Sequence, residues 1–354
     1  MKISIDIGSF YIKAARLSLE GFPMMIPDAN SKANYTLNKI EKIDAGFLIG
    51  YEPVNPQNTL WNNLTWNNGS IDKSWPTEAL MALIVKKIKA DSDAFSITAL
   101  DFVIPVGFGE QQKNMLAIIS KLVDAPRYSI TETPMATIAH HRIQNLDTIL
   151  VVDWGYSGLR ISIVAKQNRN YKIVAHQEIV GGGGKDFTQK LSDVISANFE
   201  KRFSYAIPQF QNSLARIVEQ LKIELSSNFH ASQDSIIDNE LVSISVSRKS
   251  FELSIKSEIE MALQKMNQFI TESGFELQNI NAIMLSGGCT MIPYIKGHLK
   301  NTFSTIRRVY DTDPITSAVL GAAINNTDTN FAELTNTEAD MYAKIRSMPV
   351  NGFL

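Results

Sequence analysis

Ile3, Ile5 and Ile7 alternate with Ser4 and Asp6, and Gly8-Ser9 then turns the chain into a second extended run from Ile12 to Leu19. Alternation of period two on either side of a glycine predicts a strand, a tight turn and a returning strand. The pattern recurs far downstream. Ile149 to Val152 lead into Asp153-Trp154-Gly155-Tyr156-Ser157-Gly158 and on to Ile161 to Val164, with the same Asp-x-Gly in the same place. Two lobes built on one plan are the expectation.

Further extended sequence (Tyr171 to Val180) and then helical periodicity follow the second hairpin. In the first half, Asp101-Phe102-Val103-Ile104-Pro105 reads as a buried strand. Glu110 to Val123 reads as its amphipathic helix, with Met115, Ile118, Ile119 and Leu122 on one face. Strand followed by helix in both halves makes the class α/β, each lobe a mixed sheet flanked by helices. Asn30 to Ser74, rich in Asn, Trp and Pro and without a clean period, suits a small inserted subdomain. From Asn325 onward the chain turns polar, which predicts a C-terminal tail with one short helix around Thr335 to Ser347.

Length agrees with two lobes, since 354 residues exceed one ordinary core. Lys plus Arg (34) nearly balances Asp plus Glu (36), so no net field draws nucleic acid. No window of 18 apolar residues predicts a membrane span, and the N-terminus lacks the apolar stretch of a secretion signal. A single cysteine, Cys289, forms no internal disulfide and points to a reducing compartment, the cytoplasm by default. The five histidines have no Cys or carboxylate partners at ligand spacing, which argues against zinc. Trp61, Trp66 and Trp75 fall in the insertion and read as packing.

An acid two places before a glycine in a tight hairpin lets backbone N–H groups face a phosphate while the carboxylate reaches a hydrated Mg²⁺. Asp6 with Gly8, and Asp153 with Gly155, are one such pair per lobe; ordinary turns are the alternative. Gly181-Gly182-Gly183-Gly184-Lys185 lacks the early glycine and the Ser/Thr after Lys of a P-loop. Leu285-Ser286-Gly287-Gly288-Cys289-Thr290 follows the strand Ile280 to Leu285 and precedes a helix from Pro293, so bare backbone there can approach a ribose or phosphate. On the helix Leu214 to Ser227, Leu214, Ile217, Val218, Leu221 and Leu225 form the buried stripe. Glu219, Lys222 and Ser226 form a separate polar arc that either lines a slot or faces solvent.

Five segments, in order, resemble the nucleotide-binding domain of the seventy-kilodalton heat-shock chaperones, members of the actin-like ATPase superfamily. They are Ile5 to Ser9, Val152 to Gly155, Gly183 to Phe187, Ser286 to Pro293, and Asp313-Pro314 through Gly321-Ala322-Ala323. Phe102 to Phe108 and Glu132 to Ala139 are similar to two further family segments, and Asn55-Pro56-Gln57-Asn58-Thr59 to a weaker one. The resemblance implies two ribonuclease-H-like lobes flanking a nucleotide cleft. It places lobe I at 1–146, with a subdomain inserted near 28–90 and completion by 312–327. Lobe II would be 147–311, with an insertion near 188–262, and the tail 328–354.

Carried over, the resemblance implies an ATP or ADP site with Mg²⁺. Gly8, Ser9, Phe10, Tyr11, Gly155, Tyr156, Ser157 and Gly158 would touch phosphates, beside Gly183 and Gly184. Glu219, Lys222 and Ser226 would hold the adenosine, and Gly287, Gly288, Cys289, Thr290 and Met291 the ribose and phosphate side. Asp6 and Asp153 would hold Mg²⁺ through water and, with Glu132, make up the catalytic set.

The departures fall on the chemistry. The family's catalytic lysine falls on Leu64, its second-hairpin aspartate on Arg160, its glutamate before Pro134 on Thr133, and its adenine-stacking arginine on Ile223. Losing one preorganised donor of that kind costs on the order of 10²- to 10³-fold in rate. Lys73 or Arg160, folded back, would restore a positive charge. Pro105 and Lys113 fall on the family's relay proline and arginine. The chain stops where the family's linker and peptide-gripping domain would begin. The expectation is an ATP- or ADP-binding, chaperone-like protein with slow or absent hydrolysis and a protein partner. The alternatives are a nucleotide-independent scaffold and an actin-like filament former; a small-molecule kinase lacks a convincing base.

Overall fold

The computed structural model describes residues 1–44, 46–52, 59–62, 75–93, 96–203, 213–237, 240–306, 308–325, 330–331, 343, 345, 347 and 348. The chain forms two compact units. One comprises Met1–Asn145, Asn170–Ile173 and Ile315–Leu354, the other Leu146–Arg169 and Val174–Pro314.

The first unit opens with β1 (Lys2–Ile7) and β2 (Tyr11–Leu17), an antiparallel hairpin in which Ile7 faces Ile12 and Asp6 faces Lys13. Ile3, Ile5 and Ile7 enter the core, as their alternation predicts. The turn requires Gly8, because a Cβ there would lie 2.6 Å from the Tyr11 carbonyl oxygen. Short strands β3 (Pro23–Met25) and β4 (Thr36–Leu37) pair with β2. Strands β5 (Lys39–Ile43), β6 (Gly46–Ile49) and β7 (Thr59–Asn62) form a separate small sheet, ordered β6-β5-β7. Helix α1 (Thr77–Asp91) buries an almost continuous face from Ala79 to Ile88. Strand β8 (Ala99–Ile104) is buried throughout, Asp101 included, whose carboxylate accepts from the Ser129 hydroxyl at 2.9 Å and the Thr131 hydroxyl at 3.1 Å. After it come α2 (Glu110–Leu122), β9 (Arg127–Glu132) and α3 (Thr133–His140), and β1, β8 and β9 run parallel.

The second unit repeats the arrangement. Strands β10 (Thr148–Trp154) and β11 (Gly158–Gln167) form the antiparallel hairpin, Asp153 facing Arg160, and β12 (Asn170–Val180) extends the sheet. Helices α4 (Gly184–Phe203) and α5 (Ser213–Glu224) lead to the two-stranded ribbon β13 (His230–Ile237) and β14 (Glu240–Ser247). Ser247 caps α6 (Arg248–Glu272), its hydroxyl accepting from the Ser250 amide at 3.1 Å. Strand β15 (Ala282–Ser286) lies parallel to β10, then come α7 (Pro293–Thr302) and β16 (Arg308–Tyr310), giving the order β12-β11-β10-β15-β16.

The chain then returns to the first unit with α8 (Ser317–Ile324) and β17 (Asn330–Phe331), which pairs with β9 at the sheet edge. Six of the eight residues of α8 are buried, and it packs on α3 so closely that a Cβ on Gly321 would lie 1.8 Å from the Ala136 carbonyl oxygen. The stretch read as a polar tail contributes to the core. Ile345 is 1% exposed, Met348 packs nearby, and the Lys86 ammonium on α1 donates to the carbonyls of Ile345 (2.9 Å) and Met348. A buried apolar side chain and an ammonium held by two backbone carbonyls explain its docking.

Both units therefore carry a mixed sheet in which an antiparallel hairpin lies beside a parallel neighbour. This is the α/β, actin-like plan the sequence predicts. No helix among the described residues is long and apolar enough to cross a membrane.

Candidate nucleotide-binding site

In the first unit, Asp6 and Glu132 stand at the carboxyl ends of β1 and β9, with β8 between them. Two strand spacings separate their backbones by roughly 10 Å. Ligands of α/β sheets gather at that edge. The turn Gly8-Ser9-Phe10 is held from outside: the Asn38 side-chain amide donates to the Gly8 carbonyl at 2.8 Å, and the Asn38 backbone N–H to the Phe10 carbonyl at 2.9 Å. Tyr11 is packed between aromatic neighbours, its ring centroid 4.7 Å from Phe10 and 4.0 Å from Tyr35. Glu132 precedes the first turn of α3 without capping it by its side chain, while the Thr133 hydroxyl donates to the Ile104 carbonyl at 3.0 Å.

The Asp6 carboxylate is engaged by the Lys13 ammonium at 2.5 Å. The cross-strand register makes this pair, since the two residues face each other on one side of the hairpin. A hydrated Mg²⁺ on Asp6 would have to share the carboxylate with that ammonium, and two cations so placed repel by several kcal/mol even at an effective dielectric of about 20. The first hairpin does not fit a divalent ion as the resemblance implied.

In the second unit the residues named from sequence converge on Gly184. Its N–H donates to the Gly155 carbonyl at 3.0 Å, and the next amide, of Lys185, to the Tyr156 carbonyl at 2.9 Å. A Cβ on Gly184 would lie 3.3 Å from both Cys289 Sγ and the Tyr156 Cα, and 3.5 Å from Lys222 Nζ. One on Gly183 would strike the Gly158 nitrogen at 2.4 Å, and one on Gly287 the Trp154 carbonyl oxygen at 2.4 Å. These glycines permit backbone to pack on backbone, so the hairpin turn, the start of α4 and the turn after β15 form one surface. By contrast, a Cβ on Gly155 or Gly288 would meet no atom within 4 Å, and those two face open space.

Lys222 is largely buried, and its ammonium donates to Glu219 Oε2 (2.7 Å), the Thr188 hydroxyl (2.7 Å) and the Gly184 carbonyl (3.0 Å). An ammonium has three N–H donors, and all three are used. In this arrangement Lys222 orients Glu219 and Gly184, with none left for an adenosine hydroxyl. Thr188, not anticipated from sequence, also lies 2.7 Å from both Glu219 Oε2 and the Gly184 carbonyl, donating to one at a time. Ser226 and Met291 make no side-chain hydrogen bond or ion pair with this cluster, and Met291 is exposed. Ile223, in the stacking position, is also exposed, as an apolar base platform requires.

Cys289 lies buried with Sγ 3.2 Å from the Gly155 carbonyl. Burial pushes its thiol up to about 12, helped by the carboxylates of Glu219, Asp153 and Asp186 against the opposing Lys222 ammonium. It is a packing group rather than a nucleophile. Thr290 closes the turn by donating to the Gly287 carbonyl at 2.7 Å.

Arg160 does not fold back toward the turn. Its guanidinium pairs with Glu178 on β12 at 2.6 Å. Lys113 on α2 pairs with Glu110 at 3.1 Å. Leu64, Lys73 and Asn55 to Asn58 lie outside the described residues. Sequence reading passed over Lys13, although a signal was present. Lys13 stands seven places after Asp6, as Arg160 does after Asp153, so the repeat carries a base opposite its acid in both units.

A family model described as Hsp70 protein matches residues 59–327, more than half of the chain. Heat shock 70 kDa protein 14 of Pongo abelii is 24% identical over 262 residues, covering 70% of this chain and 51% of its own length. The protein of the same name from Macaca fascicularis is 22% identical over the same shares. Heat shock 70 kDa protein 14-B of Xenopus laevis is 23% identical over 301 residues, 78% of this chain and 59% of its own length. The chain thus spans little more than half the length of the curated relatives it matches. Taken with the duplicated hairpin and the glycine turns around it, the chain belongs to the Hsp70 family, corresponding to its chaperone-like nucleotide-binding domain in the actin-like ATPase superfamily.

Proposed function

We propose that the chain binds ATP or ADP at the turns of its two hairpins and hydrolyses ATP very slowly or not at all, serving as a chaperone-like module for a protein partner in the cytoplasm. One observation carries the reading. Asp6 and Asp153 occupy equivalent points of two hairpins, each at the carboxyl end of a strand with a parallel neighbour. Members of this family bind ATP or ADP with Mg²⁺. Of the residues proposed for the nucleotide, Gly155 and Gly288 expose bare backbone, and Glu219 is oriented by Lys222 and Thr188. Gly183, Gly184, Gly287 and Cys289 shape that surface from beneath.

Slow hydrolysis rests on two changes at the chemistry, an acid replaced by a base and a base replaced by an apolar residue. Arg160 replaces the family's aspartate and is neutralised by Glu178, while Leu64 stands for the catalytic lysine. The saturated Lys222 favours a second reading, a scaffold that binds protein without nucleotide. Titration calorimetry with ATP and ADP separates the two, followed by a long single-turnover assay on the same sample. Binding with phosphate release slower by roughly 10²-fold or more than in an active relative is expected. No heat with either nucleotide favours the scaffold, and brisk turnover refutes the argument from Leu64 and Arg160. Nucleotide at 100 times its dissociation constant should also raise stability by about 2.7 kcal/mol.

A further inference from the structure

The acid of the first hairpin already has a cation. Lys13 and Asp6 are opposed across β1 and β2, their polar ends are 2.5 Å apart, and both side chains are mostly buried. The ammonium lies at the edge of the turn: a Cβ added to Gly8 would be 4.0 Å from Lys13 Nζ. Among the described residues Asp6 is its one partner, so two of its three N–H donors remain available. Asn38 fixes the shape of the turn beside it.

Charge decides what such a turn can accept. A lone Asp6 would repel a polyphosphate and need a metal ion between them. The Asp6–Lys13 pair is neutral, and its cation lies beside the backbone that faces the phosphates in the reading given above. The second hairpin shows the contrast, because its opposed base, Arg160, is drawn off to Glu178.

We propose that Lys13 is a built-in counter-cation for the phosphates of an adenine nucleotide, standing in for the divalent ion at the first hairpin, so that nucleotide binding by this chain does not require metal. The inference rests on the nucleotide reading of the hairpins and deepens it. Lys13 is a binding residue here and carries no chemical step.

The test is calorimetry of the full chain with ADP and with ATP, in Mg²⁺ and again in EDTA. Wild type should change its dissociation constant by less than about threefold on chelation, a shift under one charged contact. Lys13→Met should weaken binding in EDTA by roughly 10- to 100-fold, the range for a charged hydrogen bond, and Mg²⁺ should restore much of it. Lys13→Arg, which keeps the charge, should bind in EDTA as wild type does. Thermal unfolding without nucleotide checks that each variant folds. If Lys13→Met does not fold, wild type and Lys13→Arg decide the question in the two buffers. Binding in Mg²⁺ that vanishes in EDTA overturns the inference and leaves the nucleotide reading intact. Equal binding in EDTA by wild type and a folded Lys13→Met also overturns it, and no binding in either buffer removes both.

Discussion

Replacing Gly321 by alanine sets helix propensity against packing. Alanine in a helix interior is favoured over glycine by about 1 kcal/mol. At Gly321 the new methyl would meet Ala136 O at 1.8 Å, Ala136 C at 2.7 Å and His140 N at 2.9 Å, all backbone atoms of α3. Ordinary carbon contacts begin near 3.5 Å, so the two helices must separate by roughly 1.5 Å. The obstacle is main chain rather than a mobile side chain, which places the cost at the upper end of overpacking, about 3 kcal/mol. The net expectation is destabilisation of about 2 kcal/mol, a fall in Tm of roughly 4–8 °C for a unit of this size. Gly297→Ala is the matched control. That residue lies in α7, exposed, with nothing within 4 Å of its Cβ, and the change should stabilise by about 0.5–1 kcal/mol. Urea and thermal unfolding of both variants measure the two signs. A Gly321→Ala protein as stable as wild type, or both variants shifting the same way, would refute the packing argument.

Lys87 is buried with Asp28 at 2.6 Å and with Asp91, so Lys87→Met leaves two buried carboxylates uncompensated and should cost about 3–5 kcal/mol in urea unfolding; no loss would dismiss the triad. Burial alone would raise the Asp28 carboxyl, yet the Lys87 ammonium, the Ser31 amide and the Thr36 hydroxyl together hold it below the usual range. Its stabilising effect is therefore complete above about pH 4 and is lost as pH falls through the lower folded value, so Asp28→Asn should flatten the acid limb of stability against pH. Cys289, its thiol raised to about 12 by burial, should resist iodoacetamide at pH 8 and react only under unfolding conditions, as mass spectrometry would register; rapid labelling of the native chain would contradict its burial. Ile345→Ala should lower stability by about 2–5 kcal/mol in the same unfolding assay, whereas a near-neutral effect would mean that the C-terminal stretch does not seal the core.

Much of the fold was legible because its central strands obey simple periods. β1 alternates, β8 is apolar but for Asp101, and α2 repeats its apolar residues at helical spacing, so each announces its own burial. The sheet of β5 to β7 announced nothing. Its strands are short, and they bury Lys39 and Glu41, with Lys39 neutralised by Glu52. Lys222 misleads in the same way. A polar arc on an amphipathic helix reads as a solvent-facing stripe or a slot, but here the lysine is drawn inward by three acceptors, one of them the carbonyl of a glycine 38 residues away. Ile345 sits in a polar stretch with no period of its own, and only the finished first unit gives it a place. At the candidate site, the acids and glycines stood out because motif spacing is local. Thr188 did not, because its role depends on helix packing that no local pattern encodes, and Lys13 shows only when the two hairpins are compared, since it follows its acid by seven places as Arg160 follows Asp153.

The wedge of α8 against α3 has a consequence for synthesis. Gly321 and Ala136 touch in the first unit, yet the entire second unit is translated between them. On a ribosome the second unit can therefore finish its sheet while the first waits, its α3 groove open, for the helix that fills it. Nascent chains of increasing length should become protease-resistant in that order, with the amino-terminal half maturing last.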